Sequence, residues 1–378
     1  MDNHNRSFYF DSAKRIIIKL GSNILTEKNG LNIQIIRAIA REICFLDEKG
    51  IEVILVSSGA MASGLRKMDF DKRPEETPQR QALAAIGQSG LMSEYENAFG
   101  LFNKKVAQVL LTSDGLSDRE RYLNARNTLG TLLSWKVVTI INENDTVSVK
   151  SIQFGDNDNL AAMITLLMDA DILICLTDID GLFNADPRTN PDAVMIHTIE
   201  KINKDIKSYA GTIPGELGLG GMISKIHAAK KVTSAGVPMI IANGKSKNIL
   251  NQLFSGKDVG TFFMPQQKII TNRKRWIGYS IKPEGEIVID DGAAKAVLKN
   301  GKSLLPGGII KVGKKFSKGS PVHVINQNSE VLGVGLVNYD SKDVAKIKGL
   351  KSFQIKNVLG DKPYDEVIHR NNLTITKT

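Results

Sequence analysis

Six short runs of almost unbroken apolar residues recur along the first two-thirds of the chain. They are RIIIKL (15–20), VILVSS (53–58), VAQVLLT (106–112), VVTIIN (137–142), ILICLT (172–177) and VPMIIAN (237–243). Helix-length stretches such as IQIIRAIAREICFLDEKG and RYLNARNTLGTLLSW separate most of them. Strands alternating with helices predict an α/β fold with a mainly parallel sheet. Continuous apolarity, rather than apolar–polar alternation, predicts strands covered on both faces. In such sheets, ligands bind beyond the carboxyl ends of the strands.

The polar clusters obey that rule. KLGSN ends the first run, SSGA the second, INENDT the fourth and LTDIDG the fifth, so all are expected along one rim. The pattern stops near residue 262, and PQQKIITNRKR reads as a linker or entry strand. Beyond it, GEIVIDDGAAKAVLKNGKSLLPGGIIKV and SPVHVINQNSEVLGVGLVNYDS read as short strands around one helix, a small β-rich, barrel-like module. Two domains are expected, at 1–264 and 274–378. Charge divides the same way: residues 264–378 carry 20 Lys+Arg against 10 Asp+Glu, whereas residues 1–263 carry 30 of each. The basic tail reads either as a module that meets an acidic partner or as a solvated lysine-rich surface.

Several classes are set aside. No apolar run approaches the ~20 residues of a membrane helix, and MDNHNRSFYFDSAKR lacks the order of a signal peptide. Cys44 and Cys175 lie in apolar segments and read as buried free thiols of a cytoplasmic protein. His197, His227 and His323 show no metal-ligand spacing, and no G-x-S-x-G elbow occurs.

Five stretches could carry chemistry. In IIIKLGSNIL, Lys19 ends a strand and Gly21 follows; a lysine there either snorkels or meets an anion. In VSSGAMASG, Ser58 and Gly59 sit where strand gives way to helix, as a helix cap or as an anion-binding turn. INENDT and GDNDNL set two carboxylate–amide clusters close together; one helix cap needs one such residue, not four. Asp145 could bind an ammonium, Asn157 offers amide donors and an acceptor, and Asp158 could orient lysines or a metal. GTIPGELGLGGMISKIHAAKK places five glycines among eleven residues before a helix with Lys225, which suits a polyphosphate or is a flexible loop; GxxxxGK[ST] is absent. LTDIDGLFNADPR could receive an adenine or ribose, or is an ordinary turn. Two lysines, a glycine-rich loop and no obvious nucleophile fit phosphoryl transfer, where a protein mainly positions groups and neutralises charge.

Together IIKLGSNILT, SSGAMASG, AAIGQSGLM, LTSDGLSDRERYLNARNTL, INENDTV, GDNDNL, LTDIDGLFNADPR and GLGGMISKIHAA resemble the glutamate 5-kinase family, in order from about residue 14 to 262. The tail GEIVIDDGAAKAVLKNGKSLLPGGI resembles the PUA domain of many bacterial members. The resemblance implies the amino-acid-kinase fold, an open α/β/α sandwich, followed by a PUA barrel. It implies transfer of phosphate from ATP, with Mg2+ carried by ATP and no metal held by the protein, to glutamate for proline synthesis. It implies feedback inhibition by proline and a homo-oligomer, dimer or tetramer. Lys19, Lys225 and Asp158 match the catalytic residues; Ser58, Asp145 and Asn157 match the glutamate-binding ones. Lys19, Gly21, Thr177, Asp178, Leu219, Gly220, Gly221, Met222, Ser224 and Lys225 match the ATP site. Leu219 and Ser224 stand where threonine is common, and Phe183 where tyrosine is. Two alternatives compete. One is a related kinase for acetylglutamate, aspartate or a nucleotide; the other is RNA binding through the basic tail, which has few aromatics for stacking.

Overall fold

The computed structural model describes residues 6–27, 30–148, 157–209, 221–266 and 272–376. The chain divides into two compact units, Met1–Lys268 and Ile269–Thr378. Strands of the first unit are β1 (Arg15–Leu20), β2 (Thr26–Glu27), β3 (Gly30–Leu31), β4 (Glu52–Ser57), β5 (Val106–Leu111), β6 (Val138–Glu143), β7 (Ile172–Thr177), β8 (Thr198–Ile199), β9 (Met239–Asn243) and β10 (Thr261–Phe263). Eight of them form one sheet in the order β5-β6-β4-β1-β7-β9-β10-β8 among the described residues. Every pairing is parallel except β9 with β10. The expected α/β sheet and the strand positions read from apolar runs are both present. The rim follows from the order: β6, β4, β1 and β7 lie side by side, so their polar C-terminal ends are neighbours.

Alternation within each strand sorts its side chains between two helix layers. Ile16, Ile18 and Leu20 of β1, with Ile172, Ile174 and Leu176 of β7, join a core that includes Ile39 and Ile43 of the helix Ile33–Glu48 and Leu91 and Tyr95 of the helix Thr77–Gly100. Ile17, Lys19, Leu173, Cys175 and Thr177 therefore face the opposite layer, where the helices Asn157–Leu167 and Met222–Ser234 pack. A lysine ending an apolar run is thus aimed at one particular pair of helices.

The family-like SSGAMASG and AAIGQSG stretches have a packing reason. Gly59 joins β4 to the helix Ala60–Lys67 at φ +104°, a left-handed conformation that glycine takes without strain. That helix crosses Thr77–Gly100 with backbones in contact. A Cβ on Gly87 would fall 1.8 Å from the Ala60 carbonyl oxygen, and one on Gly64 would fall 1.9 Å from that of Leu83. The helix Arg6–Asp11 is tied down too: its Phe10 is buried against Phe254 and Phe262, while Arg6 pairs with Asp258.

The second unit holds β11 (Gly285–Ile289), β12 (Ile309–Gly313), β13 (Pro321–Ile325), β14 (Val331–Leu336) and β15 (Leu373–Ile375), in the order β12-β11-β13-β14-β15. Alternate residues Gly285, Ile287 and Ile289 of β11 point inward, as a sheet with one covered face requires. Two expectations for this part change. Residues 272–275, read as linker or entry strand, begin a helix, Asn272–Tyr279. Trp276 and Ile277 are buried there, and Thr374 Oγ1 donates to the Lys274 carbonyl at 2.7 Å. Packing on β15, rather than any local periodicity, selects the helix. The tail also has more than the one expected helix: Asp291–Asn300 is joined by Ser341–Ile347 and Ile355–Leu359.

Candidate active site

The site centres on Asp158, in the first turn of the helix Asn157–Leu167. Its carboxylate is only 2% exposed, which an isolated charge would not tolerate. Lys19 Nζ lies 2.6 Å from Oδ1, and Lys225 Nζ lies 3.3 Å from Oδ2. Ser224 Oγ donates to Oδ2 at 2.6 Å, and the Cys175 thiol lies 3.7 Å from Oδ1. β1 presents Lys19, β7 presents Cys175 directly beside it in register, and the helix Met222–Ser234 supplies Ser224 and Lys225.

Burial alone would raise the Asp158 carboxyl. The two ammonium groups, with hydrogen bonds from Lys19 and Ser224, outweigh it and hold the group well below the usual carboxylate range. Burial alone would lower Lys225; Asp158 outweighs that and holds it above its ordinary value. Lys225 therefore stays cationic in a place with little water. Lys19, Lys225 and Asp158 formally combine two positive charges with one negative. A buried cluster with surplus positive charge favours an incoming anion.

Next to it lies an amide-rich corner. Asn157 Nδ2, with two hydrogens to give, lies among three acceptors: the Ser57 carbonyl at 3.1 Å, Ser58 Oγ at 3.0 Å and Asn142 Oδ1 at 3.0 Å. The successive serines point opposite ways: Ser57 Oγ meets Tyr95 OH at 2.7 Å in the helix layer, while Ser58 faces Asn157. The free N–H groups at the start of the helix Ala60–Lys67 follow at once. Asp145 lies just beyond β6, and burial pushes its carboxyl up to about 6.

At the end of β7, Thr177 Oγ1 donates to Asp178 Oδ1 at 3.1 Å, and Asn23 Nδ2 donates to Oδ2 at 2.9 Å. Burial would raise Asp178, but these hydrogen bonds prevail and lower it. Gly21 lies beside this corner and the lysine; a Cβ there would be 3.4 Å from the Leu176 carbonyl and 3.8 Å from Lys19 Nζ. Gly221 precedes the helix carrying Met222, and its carbonyl accepts from Ser224 Oγ at 2.8 Å. Phe183 is bridged by its backbone to Met195. Leu219 and Gly220 lie outside the described residues, as does Asp156.

Folding thus joins Lys19, Asp158, Ser224 and Lys225 in one cluster and Ser58 with Asn157 in another. Asn157 and Asp158 open a helix, yet their side chains are spent on neighbours rather than on a cap. Sequence reasoning missed Asn142, Gln88, Cys175 and Asn23. Asn142 and Gln88 lay in the quoted stretches INENDT and AAIGQSG; a polar residue inside an apolar or glycine-rich run was the available signal.

The Amino acid kinase family matches residues 14–243, and the PUA domain matches residues 285–359. A protein of Caldanaerobacter subterraneus subsp. tengcongensis named Glutamate 5-kinase is 48% identical over 96% of this chain and 97% of its own length. One of the same name from Desulfotalea psychrophila is 49% identical, covering 97% and 98%. A third, from Geobacter sulfurreducens, is 46% identical over 98% of this chain and 100% of its own. Those matches span both units, and with them the chain belongs to the amino acid kinase family, in its glutamate 5-kinase branch with a C-terminal PUA domain.

Proposed function

We propose that this chain transfers the γ-phosphoryl group of ATP to the γ-carboxylate of L-glutamate, forming L-glutamyl 5-phosphate, the first step of proline biosynthesis. The observation that carries the reading is the buried Asp158 gripped by Lys19 and Lys225. Acceptor and donor are both anions, so the reaction needs buried cations more than a base. A γ-carboxylate has an ordinary pKa near ~4.3 and is already ionised at neutral pH. One of its oxygens attacks the γ-phosphorus, the bond to the β–γ bridging oxygen breaks, and ADP leaves with that electron pair. No proton has to move. Lys19 and Lys225 neutralise the three equatorial oxygens, and Asp158 keeps both ammonium groups aimed.

Thr177, Asp178, Gly21 and the Gly221–Lys225 turn form the nucleotide side in this reading. Both Asp158 oxygens are taken by lysines and Ser224, so Mg2+ would be held by the phosphates and would add charge neutralisation there. On the acceptor side, Ser58 and the helix N-terminus at Ala60 suit the α-carboxylate; Asp145 and Asn157 suit the ammonium. Proline shares those two groups but lacks the γ-carboxylate, which makes it a competitive inhibitor of this site. On the RNA reading, Trp276, Phe316 and Tyr339 of the tail are buried and removed from stacking, whereas Phe353 and Tyr364 are exposed.

The test is ADP release, with hydroxylamine trapping of the acyl phosphate, across glutamate, aspartate and N-acetylglutamate. Glutamate should be strongly preferred; equal use of N-acetylglutamate would sink the assignment. Asp145→Asn should raise KM for glutamate about tenfold or more, the scale of a lost charge-assisted hydrogen bond, with KM for ATP changing much less. The pH dependence has a definite sign. Asp145 titrates at about 6 before substrate binds, so kcat/KM for glutamate should fall as pH drops through that value. The Asn variant should lose this limb, and a limb that persists would place the titration elsewhere.

A further inference from the structure

A chain of side-chain amides leads away from the acceptor corner. Asn157 Nδ2 donates to Asn142 Oδ1 at 3.0 Å, Asn142 Nδ2 to Gln88 Oε1 at 2.9 Å, and Gln88 Nε2 to Gln108 Oε1 at 3.3 Å. An isolated amide can turn end for end, because its oxygen and nitrogen are nearly the same size. Two backbone groups set the sense of the chain here, and Gln88 Oε1 keeps Asn142 seated by meeting its Nδ2 donor. The Glu143 N–H can only donate, and it gives to Asn142 Oδ1 at 2.9 Å. The Ser57 carbonyl can only accept, and it takes from Asn157 Nδ2 at 3.1 Å. Reversing any link would set nitrogen against nitrogen or oxygen against oxygen. Asn157 Oδ1 is consequently turned away from Ser57 and Asn142, and it is buried with no hydrogen-bond partner among the described residues. A buried acceptor in that state can take a donor from a ligand.

We propose that Asn142 and Gln88 are positioning residues for acceptor specificity. They hold the Asn157 amide with its oxygen toward the acceptor, so the site selects a molecule that brings an N–H donor. Gln88 supplies the only kind of atom that satisfies Asn142 Nδ2 without disturbing its oxygen. It lies in the helix Thr77–Gly100, in the layer beneath the sheet rather than among the substrate groups. This inference rests on the glutamate kinase reading and adds to it a polarity set from outside the site.

The experiment compares glutamate with glutarate, the same dicarboxylate without the amine, in wild type, Gln88→Met and Gln88→Glu. Met has a similar length and no amide; Glu keeps an oxygen for Asn142 Nδ2. The Met variant should lose about fivefold or more in kcat/KM for glutamate, a modest share of what an unmet buried hydrogen bond can cost. Its kcat/KM for glutarate and KM for ATP should hold, so the glutamate-to-glutarate ratio falls. The Glu variant should retain most of that ratio. A folded Met variant with an unchanged ratio, or with both acceptors falling in proportion, overturns the proposal. Gln88→Leu replaces it if the Met variant does not fold. Wild type that ignores glutamate would remove the functional reading as well; wild type that prefers it, beside an unaltered Met variant, removes this inference alone.

Discussion

Replacing Lys225 with alanine should lower kcat about a hundredfold or more, the scale on which one strong electrostatic donor acts in a water-poor site. The ammonium is 5% exposed and stays charged because Asp158 outweighs its burial. Its 3.3 Å separation from Asp158 Oδ2 is longer than the 2.6 Å contacts of Lys19 and Ser224. In the proposed reading its charge serves the phosphoryl group as negative charge develops there. Loss of an interaction made chiefly in the transition state lowers kcat and kcat/KM together. KM for glutamate should therefore change little. Near-normal turnover, or a defect confined to KM, would move the transition-state role to another group. Lys225→Arg is not expected to restore activity, since a planar fork does not replace a compact ammonium beside a buried carboxylate.

Asp158→Asn should damage both catalysis and stability. The substitution keeps the shape and removes the charge that two buried lysines share. Breaking a buried ion pair from one side costs about 3–5 kcal/mol, because the partner charge is left uncompensated. A shift of that size is readable in the urea midpoint. The pH dependence has a sign as well. The folded-state carboxyl lies below its unfolded value of about 4, so its stabilisation is complete above that value. It is lost as pH falls through the folded-state value. The gap between wild type and variant should accordingly be widest near neutrality and close in acid. ATP should narrow the gap at neutral pH by supplying negative charge to the same lysines. A variant as stable as wild type at pH 7 would mean that the lysines find other counter-charges.

Strand positions, the sheet class and the rim of polar turns were all legible as local patterns. RIIIKL and ILICLT coincide with β1 and β7 because a strand buried on both faces must be apolar throughout. The last third was harder. The NRKRWIGY helix is too short for periodicity to declare itself, and burial of Trp276 and Ile277 decides it. Glycines in AAIGQSG could be noticed as unusual, but not as the contact surface of two crossing helices.

Residue types announced the chemistry, since lysines at strand and loop ends with clustered carboxamides and carboxylates suit anions. Which of them meet was settled by packing. Lys19 reaches Asp158 because β1 lies between β4 and β7 and turns that one face toward the helix Asn157–Leu167. Lys225 joins them because its helix packs on the same one. The direction of the Asn157 amide depends on a backbone N–H of β6 and a carbonyl of β4, groups present in every residue and therefore silent in the sequence. Local periodicity can say where a strand runs and which faces are greasy. Side-chain pairing across layers depends on sheet order, register and helix crossing, and those exist only once the whole chain has folded.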